Sequence, residues 1–379
     1  MVAFAAVVGP GVLAGLSDDD PAGITTYSIL GADFGYRLLW VLLLSTVALI
    51  VFHELGARMG CVTGRGLAGL IRDRYGHRAA ASAAAVLLVA NVGTTCAEFA
   101  GIAAASELAG VSRYASVPVA AILVSTLVVR GGFKRVEHVL LLLATVFVTY
   151  FASGVLAHPH WGAAARGLVV PTLPLQRHEL LVATATVGTT LAPWGLAFIQ
   201  SYAVDKRLRP SDLAFERVDV IAGAVMTGVI GFFIVIACAA TLHVNGRSIN
   251  DAGDAAAALQ PLAGSYASTL FGIGLLGASL LAAAILPLST AYSVSEALGR
   301  EARVEAPVRE EPVFYGTYAL VVGVGALVVL VPGAPLVRFC SSPRRSTRCC
   351  SCRCSRSSPC SPVTVRLWAS TQPVALGRC

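Results

Sequence analysis

Three consecutive carboxylates, Asp18, Asp19 and Asp20, stand in the middle of the first apolar run, and Pro21 and Gly23 follow them. Each carboxylate at membrane depth costs several kcal/mol even on lenient insertion scales. Proline lacks an N–H group, so the helix should break at this point. Carboxylates beside freed backbone carbonyls suit a hard cation. The alternative is that the span begins at Pro21, but this would leave the apolar residues 2–16 in water.

A second interruption lies in the sixth apolar run, where residues 188–195 read Gly-Thr-Thr-Leu-Ala-Pro-Trp-Gly. Interruptions at corresponding positions five helices apart are typical of an inverted five-plus-five repeat with a substrate site at the membrane midplane. The alternative is a plain proline kink in a packed helix. The pairing with the first interruption favours the repeat.

The third apolar run adds Asn91, Thr95 and Glu98. Spacings of four and three residues place them on one face of a helix. We expect this face to line an ion pathway, because the apolar pattern continues beyond Glu98 and carries it inward. In the alternative interpretation, Glu98 lies at the membrane end of the helix and reaches the interface.

The composition excludes a soluble globular enzyme, a disordered protein and a nucleic-acid binder. Of the 379 residues, 56% are apolar and only 13% are charged, about half the usual charged share of a soluble domain. The net charge of +7 belongs to the end of the chain, since residues 338–379 hold eight arginines and no acid. The remainder has 20 basic and 21 acidic residues, a net charge of −1.

Runs of about 20 apolar residues predict membrane-spanning helices. Nine such runs are found, at residues 2–36, 38–52, 79–97, 114–129, 138–165, 181–204, 220–246, 266–295 and 312–337. We interpret His53 and Glu54 as a polar turn at the cytoplasmic end of the second span. Loops after even-numbered spans carry 15 Lys and Arg and the other loops carry five, so the sequence predicts a multi-pass protein with a cytoplasmic N-terminus.

These motifs resemble the Nramp divalent-metal transporters, and most of all the branch of NRAMP-related magnesium transporters. The resemblance rests on Gly-Pro-Gly-Val-Leu-Ala-Gly-Leu-Ser-Asp-Asp-Asp-Pro-Ala-Gly-Ile-Thr-Thr-Tyr-Ser at 9–28 and on residues 31–45, 57–60 and 62–67. It implies an all-α polytopic membrane protein with the LeuT-like (APC) five-plus-five repeat, in which helices 1 and 6 are unwound. It implies a plasma-membrane transporter and not an enzyme, with the metal ion and the lipid bilayer as partners. No cofactor is implied, and the oligomeric state stays open.

The resemblance also assigns site residues. The family's aspartate in helix 1 falls on Asp20, and the family's methionine in helix 6 falls on Ala192. The implied metal-binding set is Asp20, Glu98, Thr189 and Ala192. The implied pathway-lining set is Asp18, Asp19, Gly23, Asn91, Thr95 and Trp194. Asp18 and Asp19 are expected to concentrate cations through their field.

Departures from the family pattern favour Mg²⁺. Methionine is a soft ligand that favours transition metals, and here its position holds Ala192. The asparagine position holds Gly23, which leaves a roomier oxygen site, and Mg²⁺ keeps several of its waters. The proton route loses its histidine at Trp194 and one acid at Thr95, so we expect Mg²⁺ uptake without proton coupling. A proton-coupled Mn²⁺/Fe²⁺ transporter is the alternative.

The last residues, 338–379, have a different composition and hold seven of the ten cysteines. The spacing of Cys349, Cys350, Cys352 and Cys354 is too tight for a usual zinc site. A disordered basic tail is one alternative. We favour a frameshift, because leucine codons read one base later give cysteine, so that the tenth helix is missing or scrambled. The domains are then 1–337, the transporter, and 338–379, an aberrant tail. A non-functional truncated membrane protein is the corresponding alternative function.

Overall fold

The computed structural model describes residues 9–331, except 132, 173–175, 250–251, 257–264, 301–302 and 305. All regular structure in these residues is helical, as the sequence predicts. The helices are α1 (Pro10–Ser17), α2 (Pro21–Phe34), α3 (Leu39–Thr63), α4 (Leu67–Tyr75), α5 (His77–Leu108), α6 (Arg113–Gly131), α7 (Phe133–Ala144), α8 (Val148–Leu156), α9 (Trp161–Val169), α10 (Arg177–Thr190), α11 (Pro193–Asp205), α12 (Leu213–Cys238), α13 (Ser265–Ala297) and α14 (Pro312–Leu330).

Eight segments in the described residues are long and apolar enough to cross a membrane, and α10 and α11 together form one of them. The remaining predicted span, at residues 2–36, contains the pair α1 and α2, each of which is too short to qualify alone. The predicted tenth helix and the tail at 338–379 lie outside the described residues, as do residues 1–8. The proposed frameshift therefore stays a prediction.

Three predicted span boundaries are wrong. Helix α3 continues to Thr63 and not to residue 52, and α5 continues to Leu108 and not to residue 97. Isolated polar side chains do not end a helix when neighbouring helices cover them. A prediction from hydropathy alone therefore places the C-terminal end of such a helix too early. The predicted span 138–165 instead ends at Leu156, before His158 takes a positive φ of 50° ahead of Pro159.

Helix α1 packs backbone against backbone on α12. A Cβ atom on Gly11 would overlap the backbone of Val220, and one on Gly15 would overlap that of Gly223. The Gly-x-x-x-Gly spacing of α1 therefore permits the close approach. The N–H groups of Gly9 and Gly11 donate to Asp219 Oδ2 at 3.1 and 2.7 Å. Asp219 thus satisfies backbone donors at the start of α1 that have no partner within the helix.

Helices α2 and α10 run side by side from the two interruptions to their outer ends. Close to the interruptions, the hydroxyls of Tyr27 and Thr190 are 3.1 Å apart. At the other end, His178 Nε2 lies 2.8 Å from Asp33 Oδ2. Just beyond α2, Arg37 pairs at 3.0 Å with Glu179, in the first turn of α10. These contacts close the space between the two half-helices along its length.

Candidate metal-binding site

The first interruption separates α1 from α2 at Asp18, Asp19 and Asp20. Asp20 is the extended N-cap of α2, with φ −73° and ψ 171°, and its Oδ1 accepts a hydrogen bond from the Gly23 N–H at 2.6 Å. The motif alone predicts the unwound segment at residues 20–23. It lies earlier because Pro21, whose φ is fixed near the helical value, starts the next helix and does not sit in the gap.

The second interruption follows the same rule. Helix α10 ends at Thr190 and α11 begins at Pro193, so that only Leu191 and Ala192 are non-helical. The motif predicts the unwound segment at residues 192–195, whereas in the structure the unwound residues again lie before the proline. Ala192 is the N-cap of α11, and its carbonyl accepts from the Gly195 N–H at 3.1 Å.

The two interruptions lie next to each other. A Cβ atom on Gly23 would be 3.4 Å from Asp20 Oδ1 and 3.7 Å from Thr189 Oγ1. The carboxylate of Asp20 and the hydroxyl of Thr189 are thus both neighbours of Gly23. Oxygen donors from both halves of the chain therefore converge at this point, as an inverted repeat predicts.

Gly23 is expected to tolerate no side chain. A Cβ atom there would lie 2.7 Å from the carbonyl oxygen of Asp18, which belongs to the backbone and cannot swing aside. We expect Gly23→Ala to lower metal uptake by at least tenfold at unchanged expression, and Gly23→Asn to lower it further. Gly93→Ala, where the added Cβ meets open space, is the matched control. Wild-type uptake by Gly23→Ala would show that the interruption is wider in the membrane.

A cavity of about 620 Å³ reaches the interruptions. Five of the predicted residues line it: Asp20, Asn91, Thr189, Ala192 and Trp194. The rest of its wall is mostly small apolar side chains from α4, α5, α10 and α11. Among the lining residues of this cavity, Asp20 supplies the one carboxylate, while most of the wall offers no competing ligand.

The predicted face of α5 is only partly brought to this site. Glu98 is fully buried inside α5, which excludes the interfacial position, and its carboxyl group interacts with that of Asp20. Neither Glu98 oxygen meets hydrogen-bond geometry within the described residues. Asn91 lines the cavity and donates to Thr290 Oγ1 at 2.8 Å. Thr95 is not in the wall of this cavity, and its methyl group lies against Gly325 of α14, so its place in the pathway stays a prediction.

Sequence reasoning missed His53. The sequence suggests an interfacial turn there, but His53 is fully buried within α3, and its Nε2 lies 3.5 Å from Asp18 Oδ2. A Cβ atom on Gly195 would be 2.9 Å from the same nitrogen. The apolar run that continues through Leu55 and Ala57 was the signal that could have placed His53 inside the membrane.

Asp18 and Asp19 are buried and do not line this cavity. Their carboxylate oxygens meet no hydrogen-bond geometry in the described residues. In the described part of the chain, no three His, Cys, Asp or Glu side chains are placed to hold one metal ion together. The donors at the interruptions are therefore the carboxylate of Asp20, which lines the cavity, a threonine hydroxyl and backbone carbonyls, all of them hard oxygen ligands.

Comparison with protein families gives a match over residues 11–341 to the model described as "Nramp: Natural resistance-associated macrophage protein-like". The matched segment contains both interruptions and every predicted site residue.

Individual relatives carry related descriptions. The chain is 27% identical over 385 residues to the divalent metal cation transporter MntH of Acidiphilium cryptum, and the match covers 97% of this chain and 83% of that protein. It is 34% identical to the divalent metal cation transporter MntH of Ralstonia nicotianae, over 71% of this chain and 64% of the relative. The chain thus spans less than two thirds of the latter protein.

Among solved structures, the fold is similar to that of a manganese transporter from Eremococcus coleocola, crystallised with an aromatic bis-isothiourea substituted compound. The TM-score is 0.69 at 22% sequence identity, and the match covers 86% of this chain and 71% of the other. A histidine-to-alanine mutant of the same transporter matches with the same TM-score at 20% identity. These structures support the LeuT-like arrangement of broken helices that the sequence predicts.

Proposed function

The chain belongs to the Nramp family, and we propose from this premise that it carries a divalent metal cation across the cell membrane, with Mg²⁺ as the main substrate and without moving a proton. The observation that carries the proposal is the donor set at the two interruptions. Asp20 and Thr189 supply oxygen, and Ala192 stands where a soft ligand would be needed for a transition metal.

The size of the cavity supports an ion that keeps part of its water shell. Mg²⁺ dehydrates reluctantly and is usually held by one or two carboxylates with several waters. The 620 Å³ cavity leaves room for those waters beside Asp20. Glu98, adjacent to Asp20, would then accept a hydrogen bond from a water of the ion and would not bind the metal directly.

The residues at the positions of the family's proton route give little support to proton coupling. Trp194 occupies the place of the family's histidine, Thr95 packs away from the cavity, and α14 carries no charged side chain. An inside-negative membrane potential supplies about 2.3 kcal/mol per charge per 100 mV. A divalent cation is therefore drawn inward without a co-transported proton.

One observation favours the alternative, a proton-coupled Mn²⁺ transporter. The buried imidazole of His53 lies 3.5 Å from Asp18, so an acid and a base stand directly behind the site. The MntH relatives are described as divalent metal cation transporters. A pH-sensitive dye and a Mg²⁺ dye in the same liposomes separate the two functions, because only the alternative acidifies the lumen during metal uptake.

We expect the full chain in liposomes to take up Mg²⁺ with no internal acidification, and Glu98→Ala to lower the initial rate by about tenfold, at the low end of the effect of removing a group that orients a metal's ligands. Glu107→Ala, an exposed acid paired with Arg113, is the matched control. Acidification that tracks Mg²⁺ entry, or an unchanged rate in Glu98→Ala, contradicts this mechanism.

Topology and the tail complete the proposal. The arginines of the loop that contains α4 support a cytoplasmic position for this side of the protein and for the N-terminus. The cavity, whose wall includes Leu67 and Ile71 of α4, then faces the cytoplasm.

Sequencing the 3′ end of the gene tests the frameshift. If transport appears only after the reading frame is restored, the result would favour the alternative in which the present chain is a non-functional truncated membrane protein.

A further inference from the structure

Glu296, near the end of α13, lies where three helices meet. Its Oε1 accepts a hydrogen bond from Ser201 Oγ of α11 at 2.6 Å. The backbone N–H groups of Ala68 and Gly69, in the first turn of α4, lie close to its carboxylate, of which Oε2 itself meets no hydrogen-bond geometry in the described residues. A Cβ atom on Gly66 would overlap the same carboxylate. Glu296 therefore acts as a cap, supplied from another helix, for the positive end of α4.

Helix α4 forms part of the boundary of the cavity. Leu67, Ala68 and Ile71 form part of the cavity wall. Ala68 and Ile71 belong to a small apolar cluster with alanines of α5 and with Ala297 of α13. The helix is bounded by Gly64 and Gly76, with φ of 61° and 85°, a left-handed backbone that permits sharp turns at both ends. These features are those of a short segment that can move as one piece.

Helix α11 is joined to the same segment at a second point. Gln200 Nε2 donates to the carbonyl of Arg65 at 2.8 Å, beside the Ser201–Glu296 bond. The other end of α11 starts at the second interruption, where Trp194 lines the cavity. A rotation of α11 about Ala192 would therefore pull on the start of α4 through both contacts.

We propose that Glu296 is a positioning residue that couples α4 to α11, so that the end of the cavity under α4 opens and closes as the second interruption changes shape. Glu296 does not line the cavity, and it acts on the ion only through these two helices. The proposal rests on the proposed transport function, and it assigns a role in turnover and not in ion binding.

Hydrogen–deuterium exchange measured by mass spectrometry on the full chain, with and without Mg²⁺, tests the coupling. We expect Mg²⁺ to slow exchange in peptides from both α11 and α4 of the wild type. In Glu296→Ala, α4 exchange should rise roughly fivefold because its cap is lost, and the response of α4 to Mg²⁺ should disappear while that of α11 remains. Ser201→Ala should weaken the α4 response without raising its basal exchange, because the Gln200–Arg65 bond remains, and Glu296→Gln should retain part of the response.

Transport gives the second readout. Glu296→Ala and Ser201→Ala are expected to lower the maximal Mg²⁺ uptake rate at least threefold with KM within twofold of wild type, whereas Glu107→Ala should change neither. Wild-type maximal rates in both variants, a raised KM, or α11 protection without α4 protection in the wild type would each overturn the coupling. Absence of any Mg²⁺ response in α11 would instead count against the proposed function, which keeps the two failures distinct.

Discussion

Asp20→Ala is expected to abolish Mg²⁺ uptake. Asp20 is the predicted ligand whose carboxylate lines the cavity, and the cap bond from Gly23 fixes its orientation. Changing a group that only orients a metal's ligands already costs 10–100-fold, so loss of the ligand itself should exceed about 100-fold. The measurement is the initial rate of Mg²⁺ entry into liposomes that contain the reconstituted full chain.

The structural role of Asp20 requires a control. Asp20 also caps α2, so its loss removes a helix cap of about 1 kcal/mol. Asp20→Asn keeps an oxygen that can accept from Gly23 and removes the charge, and we expect it to fold and to be as inactive as Asp20→Ala. Glu107→Ala, an exposed acid that pairs with Arg113, should transport normally. Rapid Mg²⁺ uptake by Asp20→Asn would remove Asp20 from the ion's path.

Ala192→Met is expected to shift the preference from Mg²⁺ toward Mn²⁺ by about tenfold or more. Ala192 caps α11 at the second interruption and lines the cavity, so a thioether there would reach the space beside Asp20. A soft sulfur ligand favours transition metals over Mg²⁺. The ratio of Mn²⁺ to Mg²⁺ uptake, in competition within one liposome preparation, measures the shift.

Ala192→Leu separates chemistry from bulk, since it fills a similar volume without sulfur. We expect Ala192→Leu to slow both ions without changing their ratio. An equal shift in both variants would assign the effect to cavity size. The companion change that the family suggests, Gly23→Asn, is not a useful partner for Ala192→Met, because the carbonyl of Asp18 occupies the space that its Cβ would need.

The sequence predicted the two interruptions because proline, glycine and charge are local signals that depend on no distant residue. Their exact positions were less predictable. Pro21 and Pro193 both belong to the helix that follows, since proline fits the first helical turn, whereas the motifs suggest that each proline lies within the gap. The family and its fold were predicted correctly from the same motifs.

The structure also places two side chains against neighbours that the sequence alone does not indicate. Helical spacing places Thr95 on one face with Asn91, but a face can be shared by two neighbouring helices, and here Thr95 meets α14. The sequence suggests an interface at His53 because two polar residues interrupt an apolar run. Only the tertiary structure shows that Asp18 lies opposite it and so makes a buried position for the imidazole possible.

The backbone contact of α1 with α12 bears on whether ions can leak through the protein. Gly11 and Gly15 leave no compressible side chain between the two helices, and Asp219 holds the first turn by two hydrogen bonds. An interface of this kind has few intermediate arrangements, because packed contacts switch between discrete states and do not deform continuously. Helix α1 therefore has no graded path along which it could separate from α12, and we expect no slow leak of ions past the first interruption through a gradual loosening of this contact.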